Sequence, residues 1–96
     1  MFVTVEAVLE EGVHGRGRFL YFHLPEDAAD FLFDLPITRG GFGSIKVDAT
    51  IGRTSWRTSV FPTNGTYLLL LARKRANAER LTPGDTTKIN LAVVVP

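Results

Sequence analysis

Five side chains have types that could form a binding site: Tyr21, His23, Trp56, Arg57 and Tyr67. Amphipathic aromatics beside one arginine are what a small pocket uses for an anionic or aromatic ligand. The ring faces take flat apolar surface and the guanidinium takes the charge. The same residues have an ordinary use. Aromatics fill the interior of a small barrel, and Arg57 can pair with an acid such as Asp48 across a hairpin. A second group is Arg73-Lys74-Arg75, with Arg80 close by. Its plain reading is a solvated helix face, and its functional reading is contact with phosphate.

Other chemistry is poorly served. His14 and His23 match no metal-ligand spacing, so no metal site is expected. Ser59, His23 and Asp27 can be grouped on paper, but no nucleophile elbow holds the serine. With no cysteine in the chain there is no thiolate for catalysis, zinc or iron–sulfur binding, and no disulfide. No catalytic residue is assigned and no cofactor is expected. The glycine-rich stretch Glu11 to Gly17 lacks the spacing and the following helix of a phosphate-cradling loop, and reads as a hairpin loop.

Strands must position these groups. Phe2 to Glu10 alternates, with Val3, Val5, Ala7 and Leu9 on one face. Arg18 to Leu24 is a second strand whose two faces both read as covered. Pro25, Glu26 and Asp27 suit the first turn of a helix. Leu24, Ala28, Leu32 and Leu35 form one apolar stripe, so residues 25–34 make a short amphipathic helix that Pro36 ends. Ser44 to Ile51 alternates cleanly, and Trp56 to Phe61 runs back beside it. Pro62-Thr63-Asn64-Gly65 is a hairpin loop, since Asn-Gly favours positive backbone angles. Asn64-Gly65-Thr66 also fits the glycosylation sequon, and the turn reading is preferred. Leu68 to Leu71 shows no alternation and reads as buried on both faces. One or two helical turns follow from Ala72 to about Arg80, then the turn Pro83-Gly84-Asp85, then a final strand from Thr86 to Val95.

The chain carries this plan twice. Phe19–Leu24, Pro25–Asp34 and Ser44–Ile51 are strand, helix and strand; Tyr67–Leu71, Ala72–Arg80 and Thr86–Val95 repeat the order. One such unit cannot bury its own apolar faces, whereas two interlocked copies can, and closure into a barrel removes exposed edges. The basic start of the second helix has an acidic counterpart, Glu26-Asp27, in the first. That asymmetry argues against binding in a duplex groove, where paired basic clusters are needed.

The 96 residues suit one domain, 1–96, and 45% hydrophobic residues suffice for a core. A net charge of +1 gives no bulk attraction to nucleic acid or anionic lipid, so such binding would need a local patch. Glu6, Glu10 and Glu11 interrupt any signal peptide, and the longest apolar run, Tyr67 to Ala72, is far short of the ~20 residues of a membrane helix. A cytoplasmic, soluble protein is expected.

Several stretches together carry a family resemblance. They are Lys46-Val47-Asp48-Ala49-Thr50-Ile51-Gly52, Trp56-Arg57-Thr58-Ser59-Val60-Phe61-Pro62, Gly65-Thr66-Tyr67-Leu68-Leu69 and Pro83-Gly84-Asp85-Thr86. With Leu24-Pro25-Glu26-Asp27 they resemble the small bacterial and archaeal family catalogued as domain of unknown function 1905, over nearly the whole chain. The resemblance implies a double-split β-barrel related in architecture to AbrB-type swapped-hairpin regulators, and no established activity. Members often open the second helix with proline, where this chain has Ala72, and Arg73-Lys74-Arg75 is unusually basic.

These readings converge on a mainly β fold: a small closed, double-split barrel of about six strands with two short helices and pseudo-twofold symmetry. The favoured role is a binding or accessory module, with a small molecule or a protein as partner. The ligand-contact candidates are Tyr21, His23, Trp56, Arg57 and Tyr67; the phosphate-contact candidates are Arg73, Lys74 and Arg75. One alternative is a small cofactor-free enzyme of cyclase or isomerase type that uses a barrel pocket. Another is an AbrB-like DNA-binding protein, which requires a dimer aligning two basic clusters. A nucleic-acid partner is therefore disfavoured, no membrane partner is expected, and the assembly is a monomer or homodimer. A filled interior favours the module, and an open cavity favours the enzyme.

Overall fold

In a computed structural model, which describes residues 1–95, seven strands and two α-helices follow one another. They are β1 (Phe2–Val8), β2 (Glu10–His14), β3 (Gly17–His23), α1 (Glu26–Phe33), β4 (Ile45–Ile51), β5 (Thr54–Thr63), β6 (Thr66–Leu71), α2 (Arg73–Ala78) and β7 (Thr86–Val93). Neither helix is long and apolar enough to cross a membrane. The strands form one antiparallel sheet in the order β1-β7-β4-β5-β6-β3-β2.

Alternation sets the faces as period two requires. Val5 and Ala7 of β1, all four apolar residues of β4, and Ile89, Leu91 and Val93 of β7 are buried. They join Leu20, Phe22, Val60, Leu69 and Leu71 in one core on the concave side of the sheet. Helix α1 starts after Pro25 and buries Ala28, Ala29 and Leu32 against that core. The two strand–helix–strand units are present as β3-α1-β4 and β6-α2-β7. They interlock, because β3 pairs with β6 and β4 with β7.

The closed ring of about six strands does not form. The sheet is a curled half-barrel of seven strands whose ends, β1 and β2, are not hydrogen-bonded to each other. The reason is covalent. Only Leu9 separates them, so they run head to tail and cannot lie side by side. Leu9 leaves the ladders for the turn before β7: its N–H donates to the Asp85 carbonyl at 2.8 Å, and its carbonyl accepts from the Gly84 N–H at 2.8 Å. Its side chain is fully buried.

Two local expectations also change. Residues 11–14 are strand rather than loop, because pairing with β3 extends the hairpin to a turn at Gly15-Arg16. Leu68–Leu71 is not buried on both faces: Leu69 and Leu71 point into the core, while Leu70 is 41% exposed. The Asn64-Gly65 turn has the anticipated positive φ at both residues, 50° and 81°.

Gly52, at φ 57°, turns β4 into β5. A Cβ there would collide with the Glu79 carboxylate, which accepts a 2.7 Å hydrogen bond from the Thr54 hydroxyl. Gly15 has a similar φ, 61°, with open space around it. Gly15→Ala should therefore cost only the left-handed strain, about 1 kcal/mol. Gly52→Ala should cost about 2–4 kcal/mol, since the hydrogen-bonded carboxylate must also move. Equilibrium urea unfolding of the two variants gives the comparison, and equal losses would show that the Glu79 contact yields freely.

Candidate functional site

Strand β5 changes partners along its length. Thr54 to Val60 pair with β4, and Val60 to Thr63 pair with β6. Extending the second ladder would set Ser59 opposite Leu70 and Thr58 opposite Leu71, but it stops at Val60–Leu69. On its other side β6 pairs with β3 from Leu68 to Leu71, with Leu70 opposite Tyr21 and Leu71 opposite Leu20. The sheet thus splits between the first half of β5 and the second half of β6. A solvent-open cleft of about 430 Å³ occupies the split. Strand β5 gives it Trp56 and Arg57, β3 gives Arg18 and Phe19, and the start of α2 gives Arg73 and Arg75.

The four arginines are held differently. The Arg57 Nε and Nη2 donate to the two carboxylate oxygens of Asp48, its cross-strand partner, at 2.8 and 3.1 Å. This is the ordinary pairing anticipated for Arg57. The hydrogen bond from Arg57 holds the Asp48 carboxyl below its usual range, and the same bond raises the guanidinium. Arg18 and Arg73 share the Glu11 carboxylate, one on each oxygen, at 3.4 and 3.2 Å. Arg75 has no carboxylate partner among the described residues. Its guanidinium carbon stands 5.4 Å from the centroid of the Trp56 ring, a cation–π contact. Four cations and two carboxylates therefore leave the cleft electropositive.

The sheet does not bring the five ligand candidates together. Trp56 and Arg57 line the cleft. Tyr67 lies on the core face of β6, 1% exposed, with its ring 4.6 Å from that of Phe33. Burial pushes its hydroxyl pKa up, against a smaller opposing pull from Arg39. Tyr21 and His23 stand on the outer face of β3, edge to face at 5.3 Å and outside the cleft. The reason is the alternation of faces, which separates residues on neighbouring strands as surely as distance does. Of the basic run, Arg73 and Arg75 reach the cleft, while Lys74 is exposed and does not line it.

Arg18, Phe19 and Glu11 were not among the sequence candidates. The signal for them was the β2–β3 pairing, concealed when residues 11–17 are read as a loop. A second cleft of about 300 Å³ lies beside Arg39, Ser44 and Lys46. Arg39 there is engaged in the fold, donating to the Phe33 and Leu35 carbonyls at 2.9 and 3.2 Å.

The model of one protein family, described as a domain of unknown function (DUF1905), matches residues 6–91, which include every charged and aromatic residue of the larger cleft. No curated protein and no solved structure matches the chain.

The Arg57–Asp48 pair has a direct solution signature. A depressed carboxyl favours the folded state above the unfolded-state pKa, and that contribution is lost as pH falls through the folded value. In Arg57→Met the Asp48 midpoint, followed by NMR of its carboxyl carbon, should move up toward the usual aspartate value. An unchanged midpoint would mean that the pair does not persist in solution.

Proposed function

The chain belongs to the family of domain of unknown function 1905, and we propose that it is a binding module which takes a small anionic ligand with a flat aromatic part into the cleft between β5 and β6. The observation that carries this reading is Arg75 lying on Trp56 inside a cleft that three further arginines line. A guanidinium on an indole offers one flat wall with a cationic edge. Arg18, Arg57 and Arg73 surround it with donors suited to carboxylate or phosphate. The volume of about 430 Å³ lies in the range of small-molecule pockets.

A catalytic reading gains less support. The core is filled by Phe22, Leu32, Val47, Leu69, Ile89 and Leu91, all fully buried. In the cleft, the polar side-chain groups are the arginines, the Thr58 hydroxyl and the Trp56 indole N–H. Arginine does not give up its proton in proteins, so general acid–base chemistry has no carrier among them. Glu11 and Asp48 are engaged as counter-ions.

Trp56 is the single tryptophan of the chain, so its fluorescence reports on the cleft alone. Titration with adenosine monophosphate should change it saturably, with a dissociation constant between about 10 µM and 1 mM. Neutral adenosine should bind at least about fivefold more weakly, and Arg75→Met should weaken the nucleotide by a similar factor. No saturable change, or equal binding of adenosine, would sink the proposal.

A further inference from the structure

The cleft continues onto the outer face of the sheet. Phe19, Tyr21 and His23 occupy alternate positions of β3, with successive ring centroids 5.3 Å apart. Phe19 is both the head of this ladder and part of the cleft wall. Its ring lies over Gly12, the residue opposite it on β2, where a Cβ would meet the ring. Leu70, opposite Tyr21, is 41% exposed and widens the apolar surface. Rings and arginines thus form one track, with charge at the Arg73 end and aromatic rings, tilted and then edge to face, toward His23.

Resting on the reading of the cleft as an anion site, we propose that this track binds a short single strand of nucleic acid. Phosphates would engage the cleft arginines, and successive bases would lie on Phe19, Tyr21 and His23. The spacing favours a single strand over a duplex. Bases stacked in a duplex rise about 3.4 Å per step, less than the 5.3 Å between rings. To meet successive rings the bases must come apart, which a single strand does at little cost. The acidic counterpart Glu26-Asp27 does not weigh against it, because a single strand needs one basic track rather than two related by symmetry. Glu10, opposite Tyr21, repels phosphate and so leaves the ladder to the bases.

Fluorescence anisotropy of a labelled ten-nucleotide oligothymidylate tests this. The wild type should bind it at least about tenfold more tightly than thymidine monophosphate, measured by Trp56 fluorescence. Three phosphate contacts would give a slope of log affinity against log salt near −2. His23→Ala, at an exposed position, and Tyr21→Ala should each weaken the decamer about tenfold. Both should leave the mononucleotide affinity within twofold, since both residues lie outside the cleft. A decamer that binds no better than the mononucleotide, or that ignores both substitutions, overturns the strand proposal and leaves the small-ligand reading standing. A ten-base-pair duplex that binds as tightly as the single strand overturns it too. If neither mononucleotide nor decamer binds at low salt, both readings fall together.

Discussion

A strand in a sheet has backbone hydrogen-bonding groups on both sides, and β5 has a neighbour on both sides only at Val60. Before Val60 the partner is β4; beyond it the partner is β6. This exchange fixes the rest. It parts β5 from the end of β6, leaves Leu70 and Leu71 paired with β3 alone, and opens the split in which Trp56 and the arginines gather. Val60 is fully buried, so the exchange point is anchored in the core. The first strand run meets the same constraint by another route. Residues 2–8 pair with β7 and residues 10–14 with β3, but the run breaks at Leu9 where β5 stays continuous.

Much of this was legible in the residues, and the failures share one cause. Alternation marked β1, β4 and β7, the Leu24-Ala28-Leu32 stripe marked α1, and Asn64-Gly65 marked the tight turn. Each is a local signal. What escaped depends on partners distant in the chain. Strand β2 has little alternation of its own and exists because β3 lies beside it. Closure failed because β1 and β2 are one run broken at Leu9, which bonds instead to residues 84 and 85. For the site, Trp56, Arg57, Arg73 and Arg75 could be chosen by type. Tyr67 could be chosen too, but its position in the period-two pattern places it with Leu69 and Leu71 in the core. Which faces meet is decided by register, and register between distant strands is not written in any single stretch.

The arrangement of counter-ions shapes what the cleft can bind. Glu11 holds Arg18 and Arg73 from one carboxylate, joining the β2–β3 hairpin to the start of α2. Two guanidinium groups around one oxyanion are already oriented for another, so an incoming phosphate or carboxylate meets ordered donors. Arg57 is fixed by Asp48 in the same way, whereas Arg75 uses the Trp56 face and, among the described residues, keeps its donors free of any carboxylate. The neutralising acids lower the net charge of the cleft and raise the order of its donors.

The Leu9 hydrogen bonds also bear on how the chain comes to be folded. They join residues 75 and 76 positions apart (84 − 9 and 85 − 9), and the Val93 N–H donates to the Met1 carbonyl across 92 (93 − 1). Contacts of such sequence separation require nearly the whole chain to be gathered first, and folds rich in them form slowly. Strands β1 and β7, the first and last in chain order among the described residues, are paired along their length, so the first half of the fold must wait for β7. The two halves then assemble together rather than in turn, and β1 stays unpartnered until β7 has been made.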